Sequence, residues 1–236
     1  MIVSIHQPAY MPWLGYLDRI AKSDVFVFLD TVQFEKNSFT NRNRIKTPQG
    51  PGWLTLPVLS RGHIGRSLTE LRIDPGRHWR RDHLRAIAMN YARARGFGTV
   101  FPTIERWFDG DEDRLCEICH GQLLEWLAHA GIGTRVVRAS TLGIGSRKSQ
   151  LVLDICRALG ADIYLSGPLG RDYLNEAEFR DAGIEVTYHG FTAFEYPQLW
   201  GGFVPNLSAL DYWMNSGELS SIFAARAKKS AGRHDG

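Results

Sequence analysis

Two apolar runs, Ile2-Val-Ser-Ile5 and Val25-Phe-Val-Phe-Leu29, fall within the first thirty residues, with room between them for one helix. The second run is continuous and ends at Asp30, the pattern of a strand buried on both faces of a parallel sheet. Trp13–Ala21 predicts the intervening helix, so the chain opens on a strand–helix–strand crossover. Such crossovers are almost always right-handed, which sets the ends of the two strands side by side. The first strand stops in His6-Gln7-Pro8-Ala-Tyr10-Met-Pro12-Trp13, a turn carrying an imidazole, a carboxamide and a phenol. Pro8 and Pro12 fix φ at two points and remove two N–H donors, so this segment is not helix interior. Open α/β sheets gather ligands at the carboxyl ends of their strands. The His6 turn and Asp30 are therefore expected at one edge of the sheet, with their side chains entering one pocket.

The last third of the chain repeats the alternation. Ser149–Leu159 predicts a helix closed by Gly160. Ala161–Leu165 predicts a strand ending in Ser166-Gly167-Pro168-Leu-Gly170-Arg171-Asp172-Tyr173. A short helix over Phe179–Ala182 then leads to a strand, Ile184–Tyr188, that stops at His189. Between the two alternating parts lie a predicted strand at Trp53–Val58, helices over His78–Ala94, Thr103–Trp107 and Asp113–His129, and a strand-like Thr134–Arg138. The pattern predicts an α/β fold: a mostly parallel, doubly wound Rossmann-like sheet with helical additions in the middle of the chain. Residues 1–225 read as one domain and 226–236 as a disordered basic tail. Four polar clusters end apolar strands: the His6 turn, Asp30 with its following loop including Gln33, Ser166–Tyr173, and His189. In a parallel sheet all four meet at one edge, and their residue types are those that active sites use.

Composition narrows the functional classes. The chain has 236 residues, 44% hydrophobic and 22% charged, with a formal charge of +3, too small to argue for a nucleic-acid partner. No run reaches membrane-spanning length, and the N-terminus lacks a signal-peptide layout, so a cytoplasmic enzyme is expected. Cys116-Glu-Ile-Cys119-His120 has the spacing of a haem-attachment or metal site. It lies in a predicted amphipathic helix with Leu115, Ile118, Leu123 and Trp126, which favours buried thiols and no metal. Gly143-Ile-Gly145-Ser146-Arg147-Lys148 fits neither a dinucleotide fingerprint nor a Walker loop. No Gly-x-Ser-x-Gly nucleophile turn occurs. Asn41-Arg42-Asn43-Arg44-Ile-Lys46 concentrates three cations and suits the anionic part of a small ligand. Glu195–Asp211, with Gln198, Asn206 and Ser208, reads as a lining loop leading into a helix capped near Asn206 or Ser208.

These residues resemble one family. Ile5-His6-Gln7-Pro8-x-Tyr10-x-Pro12-Trp13-x-Gly15-Tyr16 and Asp24-Val-Phe-Val-Phe-Leu-Asp30-x-Val-Gln33 are similar to the WbqC-like family. The match extends through Asn41–Thr47, Tyr164–Gly167 with Asp172-Tyr173, and Tyr196–Ser208. The resemblance implies a role in O-antigen or natural-product biosynthesis, with transfer of an acyl or aminoacyl group to an amine. On that reading His6 is the general base, with Asp30 and His189 in the catalytic group. Gln7, Gln33 or Asn41 would hold a developing oxyanion. Tyr10, Asn41, Arg42, Lys46, Ser166, Asp172, Tyr173, Gln198, Asn206 and Ser208 would contact substrates. The expected partners are a small-molecule amine and an acyl- or peptidyl-carrier protein, with no cofactor. The alternative is a nucleotide-using enzyme, adenylate-forming or nucleotidyl-transferring, in which Arg42, Arg44, Lys46 and Lys148 meet phosphates.

Overall fold

A computed structural model describes residues 1–59 and 65–223; the expected tail at 226–236 lies outside the described residues. In chain order the elements are β1 (Ile2–His6), α1 (Leu14–Ala21), β2 (Val25–Phe28), β3 (Arg42–Thr47) and β4 (Gly50–Thr55). Next come α2 (Trp79–Tyr91), α3 (Phe97–Trp107), α4 (Leu115–Ala130) and β5 (Arg135–Arg138). The chain continues through α5 (Lys148–Leu159), β6 (Ile163–Ser166), α6 (Glu176–Asp181), β7 (Glu185–Tyr188) and α7 (Ala209–Ser216). The five short apolar strands form one parallel sheet in the order β5-β2-β1-β6-β7. β1 is the hinge of this order. The chain winds outward from β1 through β2 to β5, then returns to lay β6 on the other side of β1. The α/β, Rossmann-like expectation is met.

Strand alternation distributes the core over the two faces of the sheet. Val3, Ile5, Val25 and Val27 pack with Leu151, Val152, Ile155 and Phe179, the buried residues of α5 and α6. Phe26 and Phe28 point the other way and join α1, α4, α7 and the middle helices in the larger core. His6 stands two residues after Ser4, whose hydroxyl meets that of Ser23 just beyond α1 at 2.7 Å. A period of two therefore places the His6 side chain on the α1 face.

The middle of the chain departs from expectation. Asn41–Lys46 is not a loop, since Arg42–Thr47 is β3, and it pairs antiparallel with β4 in a separate two-stranded sheet. The Trp53 segment thus belongs to a hairpin and not to the main sheet. A strand of amides and cations has no apolar signature; several of its polar groups meet neighbouring elements, while the Nε atoms of Arg42 and Arg44 are buried without a hydrogen-bond partner. Asn43 donates to the Met11 carbonyl at 2.6 Å, and the Arg42 guanidinium lies 4.2 Å from the Trp53 ring centroid. Cys116 and Cys119 are buried in α4 as expected, and burial pushes the Cys116 thiol up to about 12.

Asp30 shares the carboxyl edge with His6, because Leu29 donates to the His6 carbonyl at 2.9 Å. Its carboxylate, however, turns toward β5. It accepts from Arg138 Nε at 2.9 Å, the Ser140 amide at 2.9 Å and the Ser140 hydroxyl at 2.8 Å, and is wholly buried. Arg138 forks onto Glu117 of α4 as well, at 2.8 and 2.9 Å. The shared pocket expected for His6 and Asp30 is therefore replaced by a closed ion network that joins β2, β5 and α4. Asp30→Ala leaves Arg138 and Ser140 short of an acceptor and should cost about 3 kcal/mol of stability, because one partner of a buried pair is removed. Urea unfolding of the variant checks this; an unchanged midpoint would return Asp30 to the candidate active-site groups.

Candidate active site

The reversal of winding at β1 puts the switch point between the carboxyl ends of β1 and β6, the edge at which open α/β sheets generally form their ligand crevice. His6 ends β1 and Ser166-Gly167 ends β6. The His6 imidazole is only partly exposed and is held by its own turn: Nδ1 stands 2.8 Å from the Gln7 carbonyl oxygen. A carbonyl only accepts, so Nδ1 carries the proton and Nε2 presents its lone pair. The rings of Tyr16 and Trp13 meet the imidazole edge-on, with centroids at 5.1 and 6.0 Å. Burial and the nearby Arg19 guanidinium lower the His6 pKa to about 3, so the ring is neutral at physiological pH. Gln7 adds a carboxamide beside it. Its side-chain oxygen accepts from Thr40 at 3.4 Å, and its amide N–H groups have no partner among the described residues.

The residue that inspection of the sequence missed is Arg19. All of Leu14–Ile20 is buried, so α1 has no solvated face on which its charges could lie. Arg19 follows Gly15 and Tyr16 at helical spacing and is 5% exposed. It reaches Gly167 at the end of β6, where a Cβ would stand 2.6 Å from Arg19 Nη1. Gly167 is the close approach that lets a guanidinium lie across the crevice from the His6 turn.

His189, which follows β7, reaches back to the same helix. Its Nε2 lies 2.7 Å from an Asp18 carboxylate oxygen that also takes Lys22 at 2.8 Å. From His189 the chain runs past the start of α1. Phe191 packs where Gly15 lacks a side chain, and the backbone of Ser208 pairs with Trp13. Trp13, Leu14, Phe191, Phe194, Tyr196 and Phe203 are among the residues lining a narrow aromatic cleft. Trp13 forms a wall of this cleft and also touches His6.

The remaining expected site residues divide clearly. Gln7, Ser166 and His189 gather around α1 and the two strand ends. Asn206 lines the aromatic cleft and Trp13 faces both. Tyr10 is buried and pairs with His83 at 2.8 Å. Asn41 donates to the Leu56 carbonyl at 2.8 Å, and Ser208 caps α7 through the Leu210 amide. Gln33 accepts from the Gly65 amide at 3.1 Å. Lys46 is not presented to a ligand. Its ammonium contacts Gln198 and the carbonyls of Gly201 and Gly202, and Gln198 in turn donates to Asp211 at 2.8 Å. Arg42 remains on the surface of the hairpin against Trp53, while Asp172 and Tyr173 are exposed beyond β6. Among the described residues no group of three or more histidine, cysteine or acidic side chains could hold a metal ion. No helix among them is long and apolar enough to cross a membrane.

A strand-end histidine, a buried arginine and a glycine-permitted approach sit together at the switch point of an α/β fold of Rossmann-like topology. The model of the WbqC-like protein family matches residues 7–221, and the chain belongs to that family. A Mycobacterium tuberculosis protein, "Uncharacterized protein Rv1507c", is 35% identical over 217 residues, covering 91% of this chain and 94% of that protein. No solved structure matches the chain.

The depressed His6 pKa has a definite consequence for stability. Unfolded His6 takes up a proton near pH 6.5, whereas folded His6 does so only near pH 3. The unfolded state therefore binds more protons across that window, and stability falls as pH drops through it. His83, lowered to about 4 by burial, adds to the same slope. NMR of the imidazole should show His6 unprotonated at pH 5, and His6→Gln should flatten the loss of thermal stability between pH 6.5 and 4. A His6 that titrates near 6.5 would contradict this environment.

Proposed function

We propose that this protein is a cytoplasmic transferase that forms an amide, moving an acyl or aminoacyl group from a thioester-type donor to a small-molecule amine. Its setting would be natural-product or surface-polysaccharide biosynthesis. The observation that carries the reading is the locked tautomer of His6. A neutral imidazole with a free Nε2 lone pair, fixed at the end of the central strand, is oriented to accept a proton, and substrate binding must raise its depressed pKa for it to act as the base. As the amine attacks the acyl carbon, a C–N bond forms and Nε2 takes the amine proton. Collapse breaks the C–S bond, and the departing thiolate recovers that proton. The Gln7 amide is the donor best placed by sequence and by its unpaired N–H groups to meet the developing oxyanion. A carrier protein would deliver the thioester.

The strand order favours a second reading, since the same switch point serves nucleotide-binding folds. In that reading the enzyme forms an adenylate or transfers a nucleotidyl group. Product formation that requires ATP and releases pyrophosphate would select it.

His6→Ala should lower turnover by about two to four orders of magnitude with the fold intact. His6→Gln keeps hydrogen bonding but not proton transfer, and should be nearly as poor. Mass-spectrometric product detection with carrier-bound and nucleotide-activated donors checks both. Full activity of His6→Gln would exclude imidazole chemistry.

A further inference from the structure

We infer that Arg19 anchors an oxyanion, a carboxylate or phosphate group of the small molecule that enters the β1–β6 crevice. Among the described residues the other fully buried lysine or arginine, Lys46, and the half-buried Arg138 are compensated. Lys46 is ringed by three oxygen acceptors, and Arg138 binds two carboxylates. Arg19 is not. It is 5% exposed, its Nε is buried without a hydrogen-bond partner, and its side chain forms no hydrogen bond or ion pair among the described residues. Its electrostatic neighbours are the phenols of Tyr16, Tyr164 and Tyr173, none of them a carboxylate. The adjacent Asp18 carboxylate binds His189 and Lys22.

A buried charge without a counter-charge costs several kcal/mol of desolvation that no interaction in the free protein offsets. Such a group persists where a ligand supplies the missing charge. Guanidinium is the side chain best matched to carboxylate and phosphate, because its fork donates two parallel hydrogen bonds. The position agrees with that role. Arg19 spans from α1 to Gly167, so Nη1 lies at the carboxyl end of β6, near enough to His6 for its charge to act on the imidazole. An anion held there also relieves the positive field on His6 and makes the imidazole a stronger base when substrate is bound. The inference rests on reading the crevice as the substrate site, and it adds the charge class of that substrate.

Thermal unfolding of the full chain tests it, with inorganic phosphate or malonate added against sodium chloride of equal ionic strength. In the wild type at least one anion should raise the midpoint by about 3–5 °C at roughly ten times its dissociation constant. Phosphate alone active indicates a phosphorylated ligand, and malonate alone a carboxylic acid. Arg19→Met, which keeps the aliphatic stem, should melt no lower than wild type without anion and should lose the anion-specific shift. Gly167→Ala leaves the charge but pushes Nη1 aside, and should weaken the same shift at least threefold in apparent affinity. A shift that survives in Arg19→Met overturns the inference. So does no shift beyond chloride in the wild type, or an Arg19→Met protein that melts far below it. His6→Gln separates this proposal from the acid–base reading: it should retain the anion shift while losing turnover. An active His6→Gln with an intact shift would remove the proposed chemistry and leave the anion site standing.

Discussion

β1 is hydrogen-bonded on both sides, to β2 and to β6, with Val3 and Ile5 in one apolar core and Ser4 wholly buried on the opposite face toward α1. This placement is what the rest of the molecule depends on. A strand so enclosed can present polar groups only at its ends. Its carboxyl end is also where the winding of the sheet reverses, so the two adjoining connections diverge and leave a gap. His6 occupies that gap because the apolar run stops one residue before it. Pro8 then forces the chain out of extended pairing, with no N–H to continue a ladder.

Charge is handled differently in different parts of the structure. Around β3 and α7 the buried polar groups form a closed circuit: Lys46, Gln198, Tyr91 and Tyr196 converge on the Asp211 carboxylate or its neighbours. Desolvation raises the Asp211 pKa, and the hydrogen bonds it receives oppose the rise. Asp30, Arg138 and Glu117 make a second closed circuit on the other side of the sheet centre. Each circuit fixes one element against another. At the crevice the pattern is reversed, since His6 and Arg19 are buried enough to be perturbed and yet keep donor or acceptor capacity unspent. Networks that hold a fold satisfy themselves, whereas a site holds something back for its ligand.

Much of the main sheet was legible because its strands are short apolar runs with polar stops, and the crossover spacing left little choice of topology. The hairpin was not legible. Arg42–Thr47 carries three cations and an amide, and its stability comes from stacking on Trp53 and from contacts to Met11 and Gln198 that are distant in sequence. Local pattern cannot announce such partners. His6, Gln7, Ser166 and His189 could be marked as strand-end residues, but Asp30 looked identical by that criterion. Only the positions of Arg138 and Ser140 separate it from the crevice. Arg19 escaped notice because an arginine in a short amphipathic helix normally lies on a solvated face. The available signal was its helical register with Gly15 and Tyr16, on the stripe that the strand-end turn also uses.

The segment from His189 to Ser208 joins residues near the two ends of the described chain, through His189 to Asp18 and Ser208 to Trp13. During synthesis the first forty residues emerge with His6 and Arg19 already in sequence, but β1 has only one of its two neighbours until β6 appears. The wall of aromatic residues over Trp13 arrives later still. A nascent or truncated chain therefore exposes the charged turn to water, where Arg19 is fully hydrated and the imidazole is an ordinary one. Closure of the His6 environment is in this sense a late event of assembly: it waits for β6 and for the His189–Ser208 segment to return to α1.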